Sequence, residues 1–201
     1  MMNTKLRENE TETIILQLSP PLEMTDEQFF HFCHLNRDYR FEKTVEGQLI
    51  IMSPTGSETG NRNFNLVVQL GIWIEKNGKG IGFDSSTGFK LPNGANRSPD
   101  AAWMTLEKWE AIEPKKREKF APVCPDFVVE IRSPSDNLET LQSKLQEYIN
   151  NGVQLGWLID RKNQKVYIYR PNQPFQCLDN PNVVEGEGLI SGFFLNRSKI
   201  W

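Results

Sequence analysis

Hydrophobic positions recur along the chain with spacings that predict a series of helices and strands. The run Thr25-Asp26-Glu27-Gln28 fits a capping box, and the positions after it predict a helix that ends near Asn36. Residues 39–44 and 48–52 are strand-like, and Gly47 between them favours a hairpin turn. A longer helix should end near residue 77, with a core face formed by Phe64, Val67, Val68, Leu70, Trp73 and Ile74.

The second half of the chain predicts more short strands and another amphipathic helix. Strands are expected over residues 80–84, 89–91, 99–104, 126–132, 154–160 and 165–169. Thr105 is a candidate cap for a short helix, and the charged connection 113–119 should be exposed. An apolar helical stripe ends at Gly152 and comprises Leu138, Leu141, Leu145, Tyr148 and Ile149. This order predicts an α/β or α+β protein with a mixed sheet flanked by helices.

Two carboxylates stand at the ends of predicted strands, Asp100 at the start of one and Glu130 near the end of another. Because side chains alternate along a strand, Glu130 shares a face with Asp126, and the opposite face carries Phe127, Val129 and Ile131. Acids on apolar strands cost free energy to desolvate unless a cation or hydrogen bonds compensate. Carboxylate oxygens are hard ligands, so Asp100 and Glu130 suggest a site for Mg²⁺ or Mn²⁺.

Size and composition predict one domain in a reducing compartment. We expect a flexible tail over residues 1–12 and a single domain over 13–201, since 201 residues with 38% hydrophobic content can form a sizeable core. The net charge of -3 gives no overall attraction to nucleic acid, so such binding would need local patches. The richest apolar stretch, residues 66–74, is too short to span a bilayer. Three widely spaced cysteines fit free thiols, so a cytoplasmic protein with no membrane segment is expected.

The two acids and a lysine on the following predicted helix could perform phosphodiester hydrolysis. That reaction needs an activated water, neutralisation of charge at the phosphoryl group and help for the leaving oxygen. A cation held by Asp100 and Glu130, together with Lys144, would supply these functions. The same residues also fit ordinary strand-end acids and a solvated lysine, and their spacing alone does not decide between the two interpretations.

Other candidate sites are weaker. His31 and His34 have a spacing that can hold zinc, but the chain has no further histidine, which favours a structural role. Basic runs at 115–119 and 161–165 could contact phosphates, although such runs more often form solvated loops. For Asp126 we favour a hairpin or hydrogen-bonding role, because Asp100 better fits the preceding strand.

A series of motifs then points to a family. In chain order they are Tyr39-Arg40-Phe41-Glu42, Met52-Ser53-Pro54, Arg97-Ser98-Pro99-Asp100, Pro125-Asp126-Phe127-Val128-Val129-Glu130, Ser133-Pro134-Ser135 and Trp157-Leu158-Ile159-Asp160. The series resembles the Uma-two family of bacterial proteins, which is assigned to the restriction-endonuclease-like PD-(D/E)XK superfamily. The resemblance extends over residues 25–195 and implies a restriction-endonuclease-like core.

The resemblance also implies roles for individual residues. Asp100 resembles the superfamily's first acid and Glu130 its second, and both would hold Mg²⁺ or Mn²⁺. Lys144 resembles a migrated catalytic lysine, because Arg132 stands two positions after the second acid, where the simplest pattern has lysine. Arg132 could substitute only in part, since guanidinium is a poor proton-transfer group. Glu42 matches the acid of the family's opening hairpin and is expected to be an auxiliary ligand, to orient a metal-bound water, or to have a surface role.

The function implied is a metal-dependent endonuclease that hydrolyses DNA. A homodimer is expected, because cutting two strands at once needs two active sites. The alternative is a non-catalytic nucleic-acid-binding or interaction protein that retains the fold, and a phosphodiesterase acting on another nucleic acid or nucleotide is a third possibility. Convergence of Asp100, Glu130 and Lys144 on one cleft would favour the nuclease hypothesis. Members often carry a histidine after the Ser-Pro break, where this chain has residues 58–63 without one.

Overall fold

The computed structural model describes residues 14–16, 23–77 and 80–201. The strands are β1 (Ile14–Leu16), β2 (Arg40–Lys43), β3 (Leu49–Met52), β4 (Ile81–Asp84), β5 (Phe89–Lys90), β6 (Asn96–Arg97), β7 (Ala101–Met104), β8 (Phe127–Ile131), β9 (Leu155–Asp160), β10 (Lys165–Tyr169), β11 (Gln176–Asp179), β12 (Val183–Glu185) and β13 (Phe194–Asn196). The helices are α1 (Asp26–Leu35), α2 (Ser57–Asn77), α3 (Leu106–Glu110), α4 (Pro114–Arg117) and α5 (Leu138–Asn150), with 3₁₀ turns at Gly188–Ile190 and Arg197–Lys199. The predicted mixed α/β class is confirmed.

The central sheet has six strands in the order β11-β10-β9-β8-β7-β4. The pair β8 and β9 is parallel, and the other neighbouring pairs are antiparallel. A parallel pair needs a crossover, which α5 provides between β8 and β9. The carboxyl ends of β8 and β9 therefore meet at one edge, beside the amino end of β7.

A hydrophobic core covers each face of this sheet, because side chains alternate along β7 and β8. Phe127 and Val129 point to the α2 side, where they join a cluster that includes Leu66, Leu70 and Trp73. Val128 points to the opposite side, in a cluster with the α5 residues Leu145, Tyr148 and Ile149. Glu130 is in phase with Val128, so its carboxylate lies on the α5 side.

A second sheet leads directly into the central one. It has five strands in the order β1-β3-β2-β6-β5, and the predicted hairpin between β2 and β3 is present, with Gly47 at φ 80°. Thr25 forms the predicted capping box with Gln28 at the start of α1. Phe29 of α1 packs against Phe41 and Leu49 of this sheet. Only residues 98–100 separate β6 from β7, so this short connection limits where the second sheet can lie relative to the central one.

Helix α2 buries most of the core face predicted for it: Leu70 and Trp73 are buried, and Val67 and Ile74 pack against the same core. Phe64 is 65% exposed and Val68 is 38% exposed, although both were assigned to the core face. The buried residues are Leu66, Leu70 and Trp73. The prediction was wrong for Phe64 and Val68. The helix carries a second apolar stripe, in which Phe64, Val68 and Ile72 repeat every four residues, and periodicity alone cannot separate this stripe from the buried one. The predicted charged connection 113–119 also contains a one-turn helix, α4.

Four expectations concern the chain as a whole. Within the described ranges, no helix is long and apolar enough to cross a membrane. The expected tail over residues 1–12 lies outside the described residues, and a single domain over 13–201 stays a prediction. Cys33, Cys124 and Cys177 are free thiols.

Candidate active site

The strand register brings Asp100 and Glu130 side by side. In the antiparallel pair of β7 and β8, Ala101 lies opposite Val129, and continuing this register by one residue places Asp100 opposite Glu130. Asp100 Oδ2 accepts a hydrogen bond from the backbone N–H of Ile131 at 2.8 Å. This bond holds the Asp100 carboxylate at the carboxyl end of β8, beside the second acid.

Helix α5 brings Lys144 to the acid pair. Lys144 and Tyr148 are one helical turn apart, so both side chains point to the same part of the sheet. Lys144 Nζ lies 2.8 Å from Glu130 Oε1, and the Tyr148 hydroxyl donates to the same oxygen at 3.1 Å. The Lys144 ammonium also lies 5.9 Å from the centre of the Tyr148 ring. Asp100 has no direct bond to Lys144 but is close enough for the ammonium to favour its charged form.

Glu42 links the second sheet to this cluster. Its Oε1 accepts from Lys144 Nζ at 2.8 Å and from the backbone N–H of Ser98 at 2.9 Å, and its Oε2 accepts from Arg97 at 3.1 Å. Arg97 also binds Glu147 of α5 at 2.6 Å. Glu42, Arg97 and Glu130 are all buried. The result is a buried network in which the Lys144 ammonium bridges two carboxylates from different sheets.

Electrostatic effects divide the carboxylates of the cluster into two kinds. Burial raises the pKa of Asp100 and raises that of Glu130 to about 7, where repulsion from Asp100 and Glu42 opposes the attraction of Lys144. Burial also opposes ionisation of Glu42, but Lys144 and Arg97 outweigh it and lower the pKa of Glu42. Burial disfavours the Lys144 ammonium, yet the carboxylates of Glu130 and Glu42 raise its pKa. Asp100 and Glu130 are thus the acids for which nearby positive charge does not outweigh the cost of burial.

Three residues of this cluster had no role assigned from the sequence. Asn63 of α2 donates from Nδ2 to Asp100 Oδ1 at 2.9 Å, and its own Oδ1 is buried with no partner in the described chain. Arg97 and Tyr148 bind Glu42 and Glu130, as described above. Tyr148 could have been found from its position one turn after Lys144. Nothing in the local sequence marks Asn63, because its partner Asp100 is 37 residues away.

Two other charged residues considered from the sequence are held by different partners. Asp126 accepts from the backbone N–H of Thr105 at 3.0 Å and from Lys108 Nζ at 2.8 Å, which ties the start of α3 to β8. Arg132 donates to Asp160 Oδ2 at 3.0 Å and to a backbone carbonyl in the following turn. Their hydrogen-bonding groups are therefore directed toward structural partners.

The basic run at 115–119 is also largely engaged within the protein. Arg117 donates to the carbonyls of Glu110 and Ile112, and its guanidinium lies 5.1 Å from the centre of the Trp109 ring. Lys119 pairs with Glu27 at 2.5 Å. These contacts favour a structural role for the run over a contact with phosphates.

The chemistry of the acid pair fits a hard divalent cation for which water or substrate supplies most of the ligands. No three His, Cys, Asp or Glu side chains in the described ranges are grouped so that they could hold a metal ion. The ammonium of Lys144 lies between Glu42 and Glu130, which leaves Asp100 and Glu130 as the available pair. Mg²⁺ commonly binds through one or two carboxylates with waters and substrate phosphates. Both described hydrogen-bonding contacts of Glu130 use Oε1.

The acid cluster lies outside two grooves on the surface. A groove of about 550 Å³ runs between α2 and β4, and another of about 360 Å³ lies beside the amino end of β8. Neither is lined by Asp100, Glu130 or Lys144. The three residues converge, but at a strand edge and not inside either groove.

A mixed sheet with acids at neighbouring strand ends and a lysine on the crossover helix is a nuclease-like α/β arrangement. The chain belongs to the Uma2 (Uma-two) family, whose model, described as "Putative restriction endonuclease", matches residues 26–198. The predicted family is confirmed. A crystal structure of a "putative nuclease belonging to DUF820" from Anabaena variabilis has the same fold, with a TM-score of 0.70 and 21% identity over 89% of this chain and 97% of that one. A search of curated proteins found no significant match.

Proposed function

We propose that this protein is a metal-dependent endonuclease that hydrolyses DNA phosphodiester bonds. The observation that carries the proposal is the 2.8 Å contact between Lys144 Nζ and Glu130 Oε1, beside the position where the strand register brings Asp100. Family membership and the nuclease-like fold support hydrolysis of a nucleic acid. The cytoplasmic location expected from the sequence is part of the same proposal.

Each residue of the cluster has a proposed role. Asp100 and Glu130 hold Mg²⁺ or Mn²⁺, which supplies charge neutralisation at the phosphoryl group when bound. Lys144 keeps its proton at neutral pH because its pKa is raised, so it donates a hydrogen bond to the reacting phosphate and does not act as a base. Glu42 positions Lys144, a different role from the metal or water ligand expected from the sequence. Tyr148 orients the Glu130 carboxylate.

The direct test is cleavage of DNA by the purified full-length chain. Supercoiled plasmid, linear duplex and single-stranded DNA are each incubated with Mn²⁺, with Mg²⁺ or with EDTA, and an RNA of the same sequence is run in parallel. We expect cleavage of DNA with either metal and none with EDTA. Cleavage of the RNA alone would move the proposal to the phosphodiesterase alternative. DNA binding without cleavage under every condition would support the non-catalytic alternative.

The raised pKa of Glu130 predicts that metal binding strengthens with pH. A carboxylate with a pKa of about 7 is mostly protonated at pH 6 and mostly ionised at pH 8, and a metal binds only the ionised form. Titration calorimetry with Mn²⁺ should therefore show about tenfold tighter binding at pH 8 than at pH 6, with proton release at the lower pH. Glu130→Gln should flatten this dependence. Equal affinity of the wild type at both pH values would contradict Glu130 as a ligand.

We propose that the active form is a homodimer, formed through the exposed stripe of α2. The stripe consists of Phe64, Val68 and Ile72, which are 65%, 38% and 47% exposed. If two copies pack antiparallel about a twofold axis at Val68, Phe64 of one meets Ile72 of the other, and Gly71 allows close approach. Sedimentation should give twice the 23.2 kDa of one chain, and Phe64→Asp should give a folded monomer. A monomeric wild type would contradict the proposal.

A further inference from the structure

An arginine at the same sheet edge as the candidate active site has an incompletely satisfied guanidinium. Arg161 directly follows β9, and its Nε atom is buried with no hydrogen-bond partner in the described chain. A buried N–H donor is normally paired with an oxygen acceptor, although the Arg161 side chain as a whole is only partly buried. Arg161 therefore has an unused hydrogen-bond donor.

A second arginine lies within electrostatic range of the first. Arg62 of α2 pairs with Glu58 at 2.5 Å, and its side chain is only 14% exposed, whereas that of Glu58 is 83% exposed. Burial and the positive charge of Arg62 both lower the pKa of Arg161, while Glu58 opposes them. The two guanidinium groups thus have one carboxylate, that of Glu58, as a nearby negative charge, and this carboxylate is mostly solvated. Arg62 and Arg161 together therefore carry excess positive charge.

The fold places both arginines at the same edge as the acids. In the parallel pair of β8 and β9, Glu130 lies opposite Leu158, so Arg161 emerges at the carboxyl end where Glu130 lies. Arg62 immediately precedes Asn63, whose side chain donates to Asp100 Oδ1 at 2.9 Å. Two separate parts of the chain therefore bring positive charge to the edge of the sheet that carries the acid pair, although the whole chain has a net charge of -3.

We propose that Arg62 and Arg161 together bind a backbone phosphate of the DNA strand that lies across Asp100 and Glu130. This inference rests on the proposed nuclease function and adds the residues that hold the substrate. Guanidinium groups bind phosphate oxygens through paired N–H donors and keep their charge at any physiological pH. The exposed ion pair with Glu58 is weak, so a phosphate can replace that carboxylate as the partner of Arg62. The buried Nε of Arg161 gains an acceptor in the same step.

The test measures DNA binding separately from cleavage. Fluorescence anisotropy with a labelled duplex in EDTA gives the Kd of wild type, Arg62→Gln and Arg161→Gln over a series of salt concentrations. Each substitution should weaken binding by about fivefold to tenfold and reduce the slope of log K against log salt by about one, as expected for one lost phosphate contact. Lys76→Gln is the matched control, because Lys76 is exposed in the last turn of the same helix, about 21 Å along its axis from Arg62. It should leave the Kd and the slope unchanged.

Thermal unfolding of each variant shows whether the fold is kept. If Arg161→Gln does not fold, Arg62→Gln tests the same phosphate contact, since Arg62 lies on a different element. Wild-type cleavage with unchanged Kd and slope in a folded arginine variant would overturn the inference and leave the proposed function in place. A wild type that neither binds nor cleaves DNA would overturn both.

Discussion

Asp100→Asn and Glu130→Gln are each expected to reduce DNA cleavage by at least about a thousandfold, because each removes a charged ligand of the cation that neutralises the phosphoryl group. Both substitutions keep the size of the side chain. Single-turnover cleavage of a plasmid at saturating Mn²⁺ measures the effect on chemistry. Calorimetry with Mn²⁺ should show weakened metal binding in the same variants.

The folds of these variants should be preserved. In Glu130→Gln the amide oxygen can still accept from Tyr148, and Lys144 keeps its contact with Glu42. In Asp100→Asn the amide oxygen can still accept from the N–H of Ile131. If the side-chain amide of Asn63 rotates by half a turn, its Oδ1, which has no partner in the described chain, can accept a hydrogen bond from the new amide group at position 100. Lost cleavage therefore would not reflect unfolding.

Asp126→Asn is the matched control for this comparison. Asp126 is a buried acid next to β8, in phase with Glu130, but its oxygens bind Thr105 and Lys108. Cleavage by this variant should stay within about threefold of the wild type, because the residue contacts none of the proposed catalytic groups. Cleavage that survives in Asp100→Asn and Glu130→Gln would show that the metal is bound elsewhere.

The sequence predicts best which face of its strand or helix each site residue lies on, because this depends on local periodicity. Alternation along residues 126–132 places Glu130 on the face opposite Phe127 and Val129, and the structure has these residues on opposite faces of the sheet. The stripe of α5 similarly predicts where Lys144 lies relative to the core. Strand and helix periods are properties of the backbone, so they can be read without knowledge of tertiary contacts.

Contacts between distant segments could not be predicted in this way. Glu42 meets Lys144 across 102 positions, and Arg97 meets Glu42 across 55. These contacts depend on how the second sheet joins the central one, and no local pattern specifies that junction. The same limit explains the error on α2, where Phe64 belongs to a regular apolar stripe that faces solvent. Periodicity identifies a stripe but does not identify what covers it.

Lys144→Met is expected to lower the free energy of unfolding by about 3–5 kcal/mol at pH 8, as when one partner of a buried ion pair is removed. The ammonium lies 2.8 Å from both Glu42 and Glu130, and its loss leaves two buried carboxylates without that cation. Methionine fills much of the space of the lysine stem, so the expected loss is mainly electrostatic. Urea unfolding followed by tryptophan fluorescence measures it.

The size of this loss should depend on pH in a defined direction. In the wild type the pKa of Glu42 is lowered, so its contribution to stability is present above its unfolded pKa and is lost as the pH falls through its folded pKa. In the variant both acids lose the cation and their folded pKa values rise. The folded variant then holds protons that the unfolded chain has released, so its stability falls as the pH rises above about 4.3. The deficit relative to the wild type should therefore be larger at pH 8 than at pH 5.

Two further variants separate the charge of Lys144 from its packing. Lys108→Met removes another helix lysine 2.8 Å from a buried acid, Asp126. The side chain of Lys108 is 31% exposed, so the expected loss is about 1 kcal/mol. Adding Glu130→Gln to Lys144→Met removes one uncompensated carboxylate and should recover part of the stability at pH 8. A deficit that is equal at both pH values, with no recovery in the double variant, would show that Lys144 contributes through its apolar stem. Recovery of stability without recovery of cleavage would separate the structural role of the ammonium from its proposed role at the phosphate.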